Sequence, residues 1–520
     1  MHNHKVIFVI FVASIVAVFV GINVVTAQYE TIAWVVGVSV IVVCLAMGTK
    51  VWLLIPFLGA MSLTFSFPGR PTTMLVAQAL VLSFSALQLI IRRLNCKIQI
   101  RELEIWMLLL FAMVVQVYIR NPVGFNVFGG STVGAKPYVL FVAAILTSFL
   151  LCWLRVPAKE IRYAVWLSII GGLINLVISV LGRAIPVLGY YTGTAGTVEA
   201  SYSDQVEDVG KATRISYLGI FSENLSLWIS SFKSPFLACF HPLWLPLLFI
   251  CFGAAAMSGF RNDVAAIGLT FLVGIYYYGG IKQLLTSFGL GALALIALIV
   301  VNLVAPLPPN IQRSLSFLPG TWEERYVSDA EASSDWRVEL WEEVLYTDRW
   351  ISNKWIGDGL GFTARELGYQ QSLQLTQMTG TGLSGFDAHR EFLLANADYH
   401  SGPLQTIRVI GYFGLALLMI FQIRVVVYAH RQIQRCRGTE WFPVALFIGI
   451  PLIWFPVFFT LIYGEFGRAA VVLFIGSGML RLLENNLPLP AYRKKGIGLP
   501  DRPAVVSDGE DVALGKSSEV

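Results

Sequence analysis

Long apolar runs are the feature that most constrains this chain. Stretches that approach or exceed the roughly 17 to 25 residues needed to cross a bilayer as a helix recur along its 520 residues, and the first covers Val6 to Ala27. Hydrophobic residues make up 56% of the chain and charged residues only 13%, which excludes a single soluble domain. The sequence therefore predicts an all-α polytopic membrane protein.

Clusters of Lys and Arg orient the predicted spans, because positive charges concentrate in short cytoplasmic loops. They mark the segments around 92–101, 155–162, 431–437 and 493–495 as inside. The first spans agree with these markers when they are placed at about 6–27, 31–48, 51–67, 74–91, 105–119, 138–155 and 161–181. Residue 182 then lies outside.

The long loop of about 307–401 must also lie outside, because the basic loop 431–437 follows one span later. Counting hydrophobic peaks alone puts this long loop inside, so one crossing is missing. The best candidate is Ser216 to Phe232, a moderately apolar run that contains Glu223 and Asn224. With it the chain has about fourteen transmembrane helices, both termini inside, and a large outer loop that contains short helices.

This topology divides the chain into parts. We expect N-terminal transmembrane helices over 1–182, core transmembrane helices over 183–306, the outer loop over 307–401 and C-terminal transmembrane helices over 402–485. Residues 486–520 are polar and rich in Pro, Gly, Ser and acids, which predicts a disordered cytoplasmic tail.

Two arginines and a histidine gather on the outer face. Arg214 precedes the weak helix, Arg261 lies in a short turn between apolar helices, and His400 ends the long loop. Imidazole titrates near neutral pH, so His400 is a candidate general base; the alternative is a histidine that caps its helix. Arg214 also fits a solvated loop charge, and Arg261 also fits an arginine that reaches lipid head groups.

Supporting candidates lie near these residues in the sequence. Glu223 and Asn224 fall inside a predicted span, where an ionisable group costs at least a few kcal/mol unless it has a partner. We therefore expect them to face protein, where they hold Arg214 or line a cleft, and Lys211 is a further cation nearby. Arg408 lies about two turns beyond the histidine, and we expect it to point into a polar cavity.

The outer loop contains a candidate amphipathic helix. Over 335–345 the apolar side chains share one helical stripe, formed by Trp336, Leu340, Trp341, Val344 and Leu345. We expect a helix that lies on the membrane or covers a site; a packed loop helix fits the pattern equally well. Arg337 in this segment either contacts a ligand or pairs with nearby acids such as Glu342 and Glu343.

Two further expectations concern backbone and charge near the outer face. Gly357, Gly359 and Gly361 permit tight turns and a close backbone approach to a ligand, although no Lys-Ser/Thr pair follows them as in a nucleotide-binding loop. Glu465 and Arg468 are expected to form a local ion pair that is worth little.

Four segments, in order, resemble the O-antigen ligase and polymerase superfamily over about residues 200–430. They are Arg214 with Gly219 to Asn224, Met257 to Asn262, Arg337 and Trp341 with Gly357 to Phe362, and His400-Ser401 with Leu404, Gly411 and Gly414. The family patterns are R-x-x-G-x-F-x-N-P-N, T-x-S-R-G and H-N-x-x-L-x6-G-x-x-G. This chain departs from them: Arg214 lies two residues further from its glycine, and the matching segments are Glu223-Asn224-Leu225 for N-P-N, Phe260-Arg261-Asn262 for S-R-G and His400-Ser401 for H-N.

The resemblance implies a GT-C-type glycosyltransferase of the bacterial inner membrane with its active site facing the periplasm. Such an enzyme takes a glycan from an undecaprenyl-diphosphate carrier and passes it to a sugar hydroxyl of a glycan or lipid acceptor in surface polysaccharide biosynthesis. It implies His400 as the base and Arg214 and Arg261 as diphosphate ligands. Possible supporting residues are Lys211, Glu223, Asn224, Arg408 and Arg337, of which Arg337 either contacts the donor or only pairs with nearby acids. The reaction would invert the anomeric carbon and needs no metal or cofactor in principle.

The alternative is a lipid-linked glycan flippase or another polysaccharide transporter, which many apolar spans also suggest. A transporter is expected to place ionisable residues near the bilayer midplane and often to have two related halves. Here the charges gather on one face and the large loop is unpaired, which favours the enzyme. The net charge of +5 reflects cytoplasmic loops and predicts no nucleic-acid partner. Ligase and polymerase stay equally open.

Overall fold

A computed structural model describes residues 29–66, 69–123, 134–194, 198–200, 213–379 and 385–487. The predicted span 6–27, Lys211 and most of the predicted tail lie outside these residues. The described chain is built mainly from apolar helices, which confirms the class of an all-α membrane protein.

The N-terminal part follows the predicted spans closely. Its elements are α1 Tyr29–Met47, a 3-10 helix Gly48–Leu53, α2 Leu54–Met61, α3 Thr73–Ile90, α4 Glu102–Arg120, α5 Lys136–Trp153 and α6 Ala158–Ala184. One difference is the span predicted at about 51–67, which is α-helical only over α2. Gly48, with a φ of +55°, separates it from α1.

The central part contains both long and short helices. Its elements are α7 Pro186–Tyr191, β1 Val198–Ala200, β2 Thr213–Ile215, α8 Ser216–Phe232, α9 Pro235–Ala238, α10 Trp244–Met257 and α11 Arg261–Val304. Strands β1 and β2 pair antiparallel and place Arg214 opposite Glu199. The helix α8 has the bounds expected for the weak span, but it is not among the described helices that are long and apolar enough to cross a membrane.

The predicted outer loop and the C-terminal part complete the fold. Their elements are α12 Pro309–Leu315, α13 Glu324–Tyr346, α14 Ala364–Thr379, α15 Gly385–Ala395, α16 Gly402–Cys436, α17 Phe442–Leu461 and α18 Phe466–Asn486. The predicted loop thus holds α12 to α15. Proline lies in the first turn of α12, α16 and α17, where its missing N–H leaves no hydrogen bond unmade.

Among the described residues, nine helical segments are long and apolar enough to cross a membrane, so the expected count of about fourteen is not confirmed. One of the nine, α11, has 44 residues and a non-helical Gly280 inside it. A straight helix of that length would measure about 66 Å. Because Arg261 Nε donates to the carbonyl of Arg313, 3.3 Å away, and the chain beyond Val304 spans at most about 30 Å, α11 turns back at Gly280.

The helices meet in two polar ends. One end holds the start of α4 and the end of α18, where Arg101 and Arg481 pair with Glu484. The other holds the start of α16, the start of α11 and the connection between α17 and α18. We name them the Glu484 end and the His400 end.

The loop helix α13 packs onto the His400 end through the predicted apolar stripe. Leu340 and Val344 are fully buried, and the Trp341 indole donates to the carbonyl of Tyr399, 2.8 Å away. The Trp336 side chain lies outside the described part of the helix. Since the stripe contacts protein, α13 is a packed helix that covers the residue preceding His400.

A break in α16 receives the glycine-rich segment of the loop. Gly411 leaves the helix with a φ of +72°, which frees backbone groups on either side. The N–H groups of Asp358 and Gly359 donate to the carbonyls of Arg408 and Val409. A side chain on Gly357 would clash with the α16 backbone at 2.5 Å. The expectation that Gly357 approaches a ligand is therefore replaced by an approach to this helix break.

Candidate functional site

His400 occupies a constrained backbone position immediately before α16. Its φ of +49° lies in the left-handed region, which non-glycine residues adopt uncommonly. Residues in such conformations tend to cluster at functional sites. The Nδ1 atom lies 3.3 Å from Oδ1 of Asp398. The two atoms do not have hydrogen-bond geometry, but the nearby carboxylate electrostatically favours the tautomer that carries its proton on Nδ1, in which Nε2 is the proton acceptor.

Two glycines bring His400 against the connection between α17 and α18. A Cβ on Gly464 would lie 2.6 Å from the Cα of Gly402, so the two backbones touch. Gln405 joins the same segments, because its side chain donates to the Ala397 carbonyl and accepts from the Phe466 N–H. As a result, the His400 ring lies 5.7 Å from the ring of Tyr463 between centroids.

Tyr463 is surrounded by charged side chains, and we call this group the Tyr463 cluster. It consists of Tyr463, His400, Asp398, Arg337, Glu465 and Arg468. Burial, together with the charges of Asp398 and Glu465, raises the pKa of Tyr463 to about 12. The phenol therefore stays neutral at physiological pH and can donate a hydrogen bond.

Solvent reaches the cluster, and we infer from its exposure and desolvation together that it lines a recess. The side chain of His400 is 25% exposed and that of Asp398 is 39% exposed, and Glu465 and Arg468 are exposed. Even so, the surrounding protein displaces enough bulk water to raise the pKa of the Glu465 carboxyl, against the opposing charge of Arg468. Exposure combined with desolvation is what a cleft produces, whereas a flat surface would not.

Arg468 links this cluster to a pair of carboxylates on α8 and α11. It lies within electrostatic reach of both Glu223 and Asp263. Asp263 is buried and accepts a hydrogen bond from the Ser258 hydroxyl at 2.8 Å. A Cβ on Gly219 would lie 1.9 Å from an Asp263 oxygen. The glycine of the Gly219 to Asn224 segment thus makes room for this carboxylate.

Arg214 and Arg261 lie at the turn between α10 and α11, which also contains Ser258. The backbone N–H of Ile215 donates to the Ser258 carbonyl at 2.8 Å, and this bond fixes β2 beside the α10–α11 turn. The Arg214 guanidinium lies 5.6 Å from the centroid of the Phe260 ring. Arg261, the next residue, begins α11. The fold therefore brings both arginines to one turn at the His400 end.

The other predicted residues have separate locations. Asn224 faces Gly172 and lines a small groove with Phe221 and Trp228. It follows Glu223 directly on α8 and therefore points in a different direction from the helix axis. Arg408 is buried: it donates to the Gly359 carbonyl and pairs with Glu366 at 2.8 Å. Through these contacts Arg408 holds the loop against α16. Lys211 lies outside the described residues.

Sequence reasoning did not identify Tyr463, Asp398 or Asp263 as members of the site. Tyr463 begins the short polar break Tyr463-Gly464-Glu465 between two apolar helices, which is a usable signal. The expected ion pair between Glu465 and Arg468 is replaced by a wider set of interactions. Asp398 stands two residues before the histidine, but only the turn geometry brings the two side chains together.

The arrangement combines a proton acceptor, several guanidinium groups and access for solvent. The His400 imidazole can accept a proton, and guanidinium groups bind anionic oxygens in a bidentate manner. Within the described residues, the His, Cys, Asp and Glu side chains form no group of three or more that could hold a metal ion. An imidazole base together with guanidinium side chains suits a reaction in which a hydroxyl is deprotonated and attacks, because the guanidiniums stabilise the anionic leaving group.

Comparisons with known proteins give no independent assignment. No protein-family model matches the chain, and no curated protein is significantly similar to it. The family relationship therefore remains a resemblance carried by the ordered segments around Arg214, Arg261, Arg337 and His400.

Proposed function

We propose that the protein is a membrane glycosyltransferase that takes a glycan from undecaprenyl diphosphate and passes it to a sugar hydroxyl of a glycan or lipid acceptor. The active site is the recess at the His400 end, and this end faces the periplasm of a bacterial inner membrane. The protein acts in surface polysaccharide biosynthesis.

In the proposed reaction His400 Nε2 accepts the proton of the acceptor hydroxyl. The oxygen attacks the anomeric carbon of the donor sugar while the bond from that carbon to the diphosphate oxygen breaks, so the anomeric configuration inverts. The undecaprenyl diphosphate leaves as an anion, and the proton passes from His400 to solvent. Arg214 and Arg261 stabilise the charge that develops on the diphosphate.

One observation supports this proposal: the His400 imidazole, with the Asp398 carboxylate 3.3 Å from its Nδ1, lies in a solvent-accessible cluster with cationic side chains. General base catalysis requires an acceptor nitrogen within hydrogen-bond reach of the hydroxyl and a correct tautomer. Departure of the diphosphate is favoured by a permanent positive charge, which arginine supplies at any working pH.

A reconstituted assay tests the activity itself. Purified full-length protein in liposomes is mixed with an undecaprenyl-diphosphate-linked glycan and an acceptor glycan, and the products are separated by size. The proposal expects a product enlarged by the donor glycan together with free undecaprenyl diphosphate. Movement of the donor between leaflets without bond cleavage would instead identify a transporter and overturn the proposal.

Deletion of the gene separates the two variants of this activity. A polymerase joins repeat units, so its loss leaves single repeats on the surface and removes long chains. A ligase attaches finished chains, so its loss leaves intact chains on the carrier lipid. The sizes of the surface and the lipid-linked glycans decide between them.

A further inference from the structure

The guanidinium of Arg337, near Tyr463, forms no ion pair with the residues that the structure describes. Its Nε atom is shielded from solvent and has no hydrogen-bond partner among the described residues. The side chain as a whole is half-buried. A desolvated donor normally finds a partner, since leaving one unpaired is costly.

The position of Arg337 on its helix points it into the protein. It lies three residues before Leu340 and four before Trp341, which places it on the packed stripe of α13. Trp341 is bonded to the Tyr399 carbonyl, directly before His400. The charge of Tyr463 acts to raise the pKa of Arg337, so the two side chains lie near each other. The guanidinium therefore belongs to the same recess as the His400 ring.

The acidic residues of α13 do not neutralise it. Glu339 and Glu343 approach Arg390 at 3.7 and 2.8 Å, and Glu343 also receives the Trp350 indole N–H. The expectation that Arg337 pairs with Glu343 is therefore not met in the described part of the chain. Burial lowers the pKa of the Arg337 guanidinium, and the charge of Tyr463 acts against this shift.

We propose that Arg337 binds a carboxylate or phosphate group carried by the acceptor glycan. This inference rests on the proposed transferase function and names the class of acceptor, an anionic sugar such as a uronic acid or a sugar phosphate. A planar guanidinium matches either group with paired hydrogen bonds. The bound anion would pair with the guanidinium, which forms no ion pair among the described residues.

We assign Arg337 to the acceptor, rather than the donor, because Arg337 lies near the proposed base. Arg337 adjoins Tyr463, whose ring lies 5.7 Å from the His400 ring, and a base must lie beside the hydroxyl that it deprotonates. Arg214 and Arg261 instead lie at the α10–α11 turn, whereas Arg337 lies on α13 near Tyr463.

A binding experiment on the full-length protein in detergent tests the assignment without requiring activity. The probes are methyl glucuronide, glucose 6-phosphate, methyl glucoside as the neutral match, and inorganic pyrophosphate. We expect one anionic sugar to bind the wild type at least tenfold more tightly than methyl glucoside does. Arg337→Gln should remove this preference, since a hydrogen bond to a charged group contributes about a tenfold change or more.

The matched variants keep the result interpretable. Arg325→Gln, on the same helix but in an exposed pair with Glu323, should retain the preference. Pyrophosphate binding should be unchanged in Arg337→Gln, which also shows that this variant is folded. Equal binding of neutral and anionic sugars by the wild type would overturn the proposal. So would a loss of pyrophosphate binding in a folded Arg337→Gln, because Arg337 would then serve the donor.

Failure of this proposal differs from failure of the transferase proposal. If Arg337→Gln removes the preference for the anionic sugar but the wild type transfers no glycan, the anion-binding site is supported and the proposed transferase activity is wrong. If transfer proceeds and Arg337→Gln leaves the KM of an anionic acceptor unchanged, the activity stands and the acceptor assignment is wrong.

Discussion

The two polar ends of the bundle use similar residues in opposite ways. At the Glu484 end, Arg481 is fully buried and lies 3.0 Å from Glu104, which is also fully buried, and it pairs with Glu484 as well. At the His400 end, Arg337 has no ion pair among the described residues, and Glu465 and Arg468 face solvent. Compensated charges hold helices together, whereas uncompensated charges around an accessible recess are a cost that a ligand offsets.

This contrast predicts that substitutions at the Glu484 end reduce stability and those at the His400 end reduce activity. The largest expected effect is on Arg481. Arg481→Gln leaves Glu104 buried without its cation, and breaking a buried pair in this way costs about 3–5 kcal/mol. The thermal unfolding midpoint of the purified protein should fall strongly.

Arg101→Gln is the matched control for that substitution. Arg101 also pairs with Glu484, at 2.9 Å, but its side chain is 46% exposed, and exposed pairs contribute about 0–1 kcal/mol. Equal midpoints for Arg481→Gln and the wild type would show that the Glu484 end is not a structural tie.

The next effect concerns the diphosphate. Arg261→Ala removes a charged hydrogen-bond donor, so kcat/KM for the lipid-linked donor should fall by about 10- to 150-fold, equivalent to ~1.5–3 kcal/mol. The unfolding midpoint should change little. Steady-state transfer at varied donor concentration measures this, and full activity with full donor affinity would remove Arg261 from the site.

A smaller effect is expected for Asp398, which positions His400 without touching substrate. Asp398→Asn weakens the control over the imidazole tautomer, so kcat should fall by about tenfold, or ~1.4 kcal/mol on the barrier, while the KM values of donor and acceptor stay close to wild type. A change in KM with an unaltered kcat would assign Asp398 to substrate binding instead.

The smallest effect is a pH dependence of stability at Glu465. The pKa of Glu465 is higher in the folded state than in the unfolded state, so the folded state binds the proton more tightly. Stability is therefore lost as the pH rises from the unfolded-state pKa through the folded-state pKa. Glu465→Gln should therefore raise the unfolding midpoint at pH 7.5, and the gain should disappear below about pH 4. Glu342→Gln, exposed on α13, is the control; a midpoint gain at pH 4 equal to that at pH 7.5 would contradict this account.

Much of the helical framework could be predicted from the sequence. Apolar length and the positions of Lys and Arg placed α3 to α6 and gave Ser216–Phe232 the bounds that the structure has. The stripe of Leu340 and Val344 likewise anticipated a packed helix face. These features are local, because they depend on periodicity within one element.

The site was only partly predictable, because its members meet through contacts between distant elements. His400 and Arg261 were visible as ionisable groups at the ends of apolar runs. Tyr463 was not, since its role depends on the contact of the Gly402 and Gly464 backbones, about sixty residues apart. Gly357 was misjudged for the same reason: nothing in its own segment reveals that Gly411 breaks α16 opposite it.

The most direct test of the central claim is glycan transfer by reconstituted His400→Ala, measured beside His241→Ala, a substitution in the short α9–α10 connection away from the recess. The account predicts that His400→Ala lowers kcat by about 10²- to 10⁴-fold, the usual contribution of a general base, with an unchanged unfolding midpoint, and that His241→Ala transfers glycan at the wild-type rate. Full transfer by His400→Ala would contradict the account.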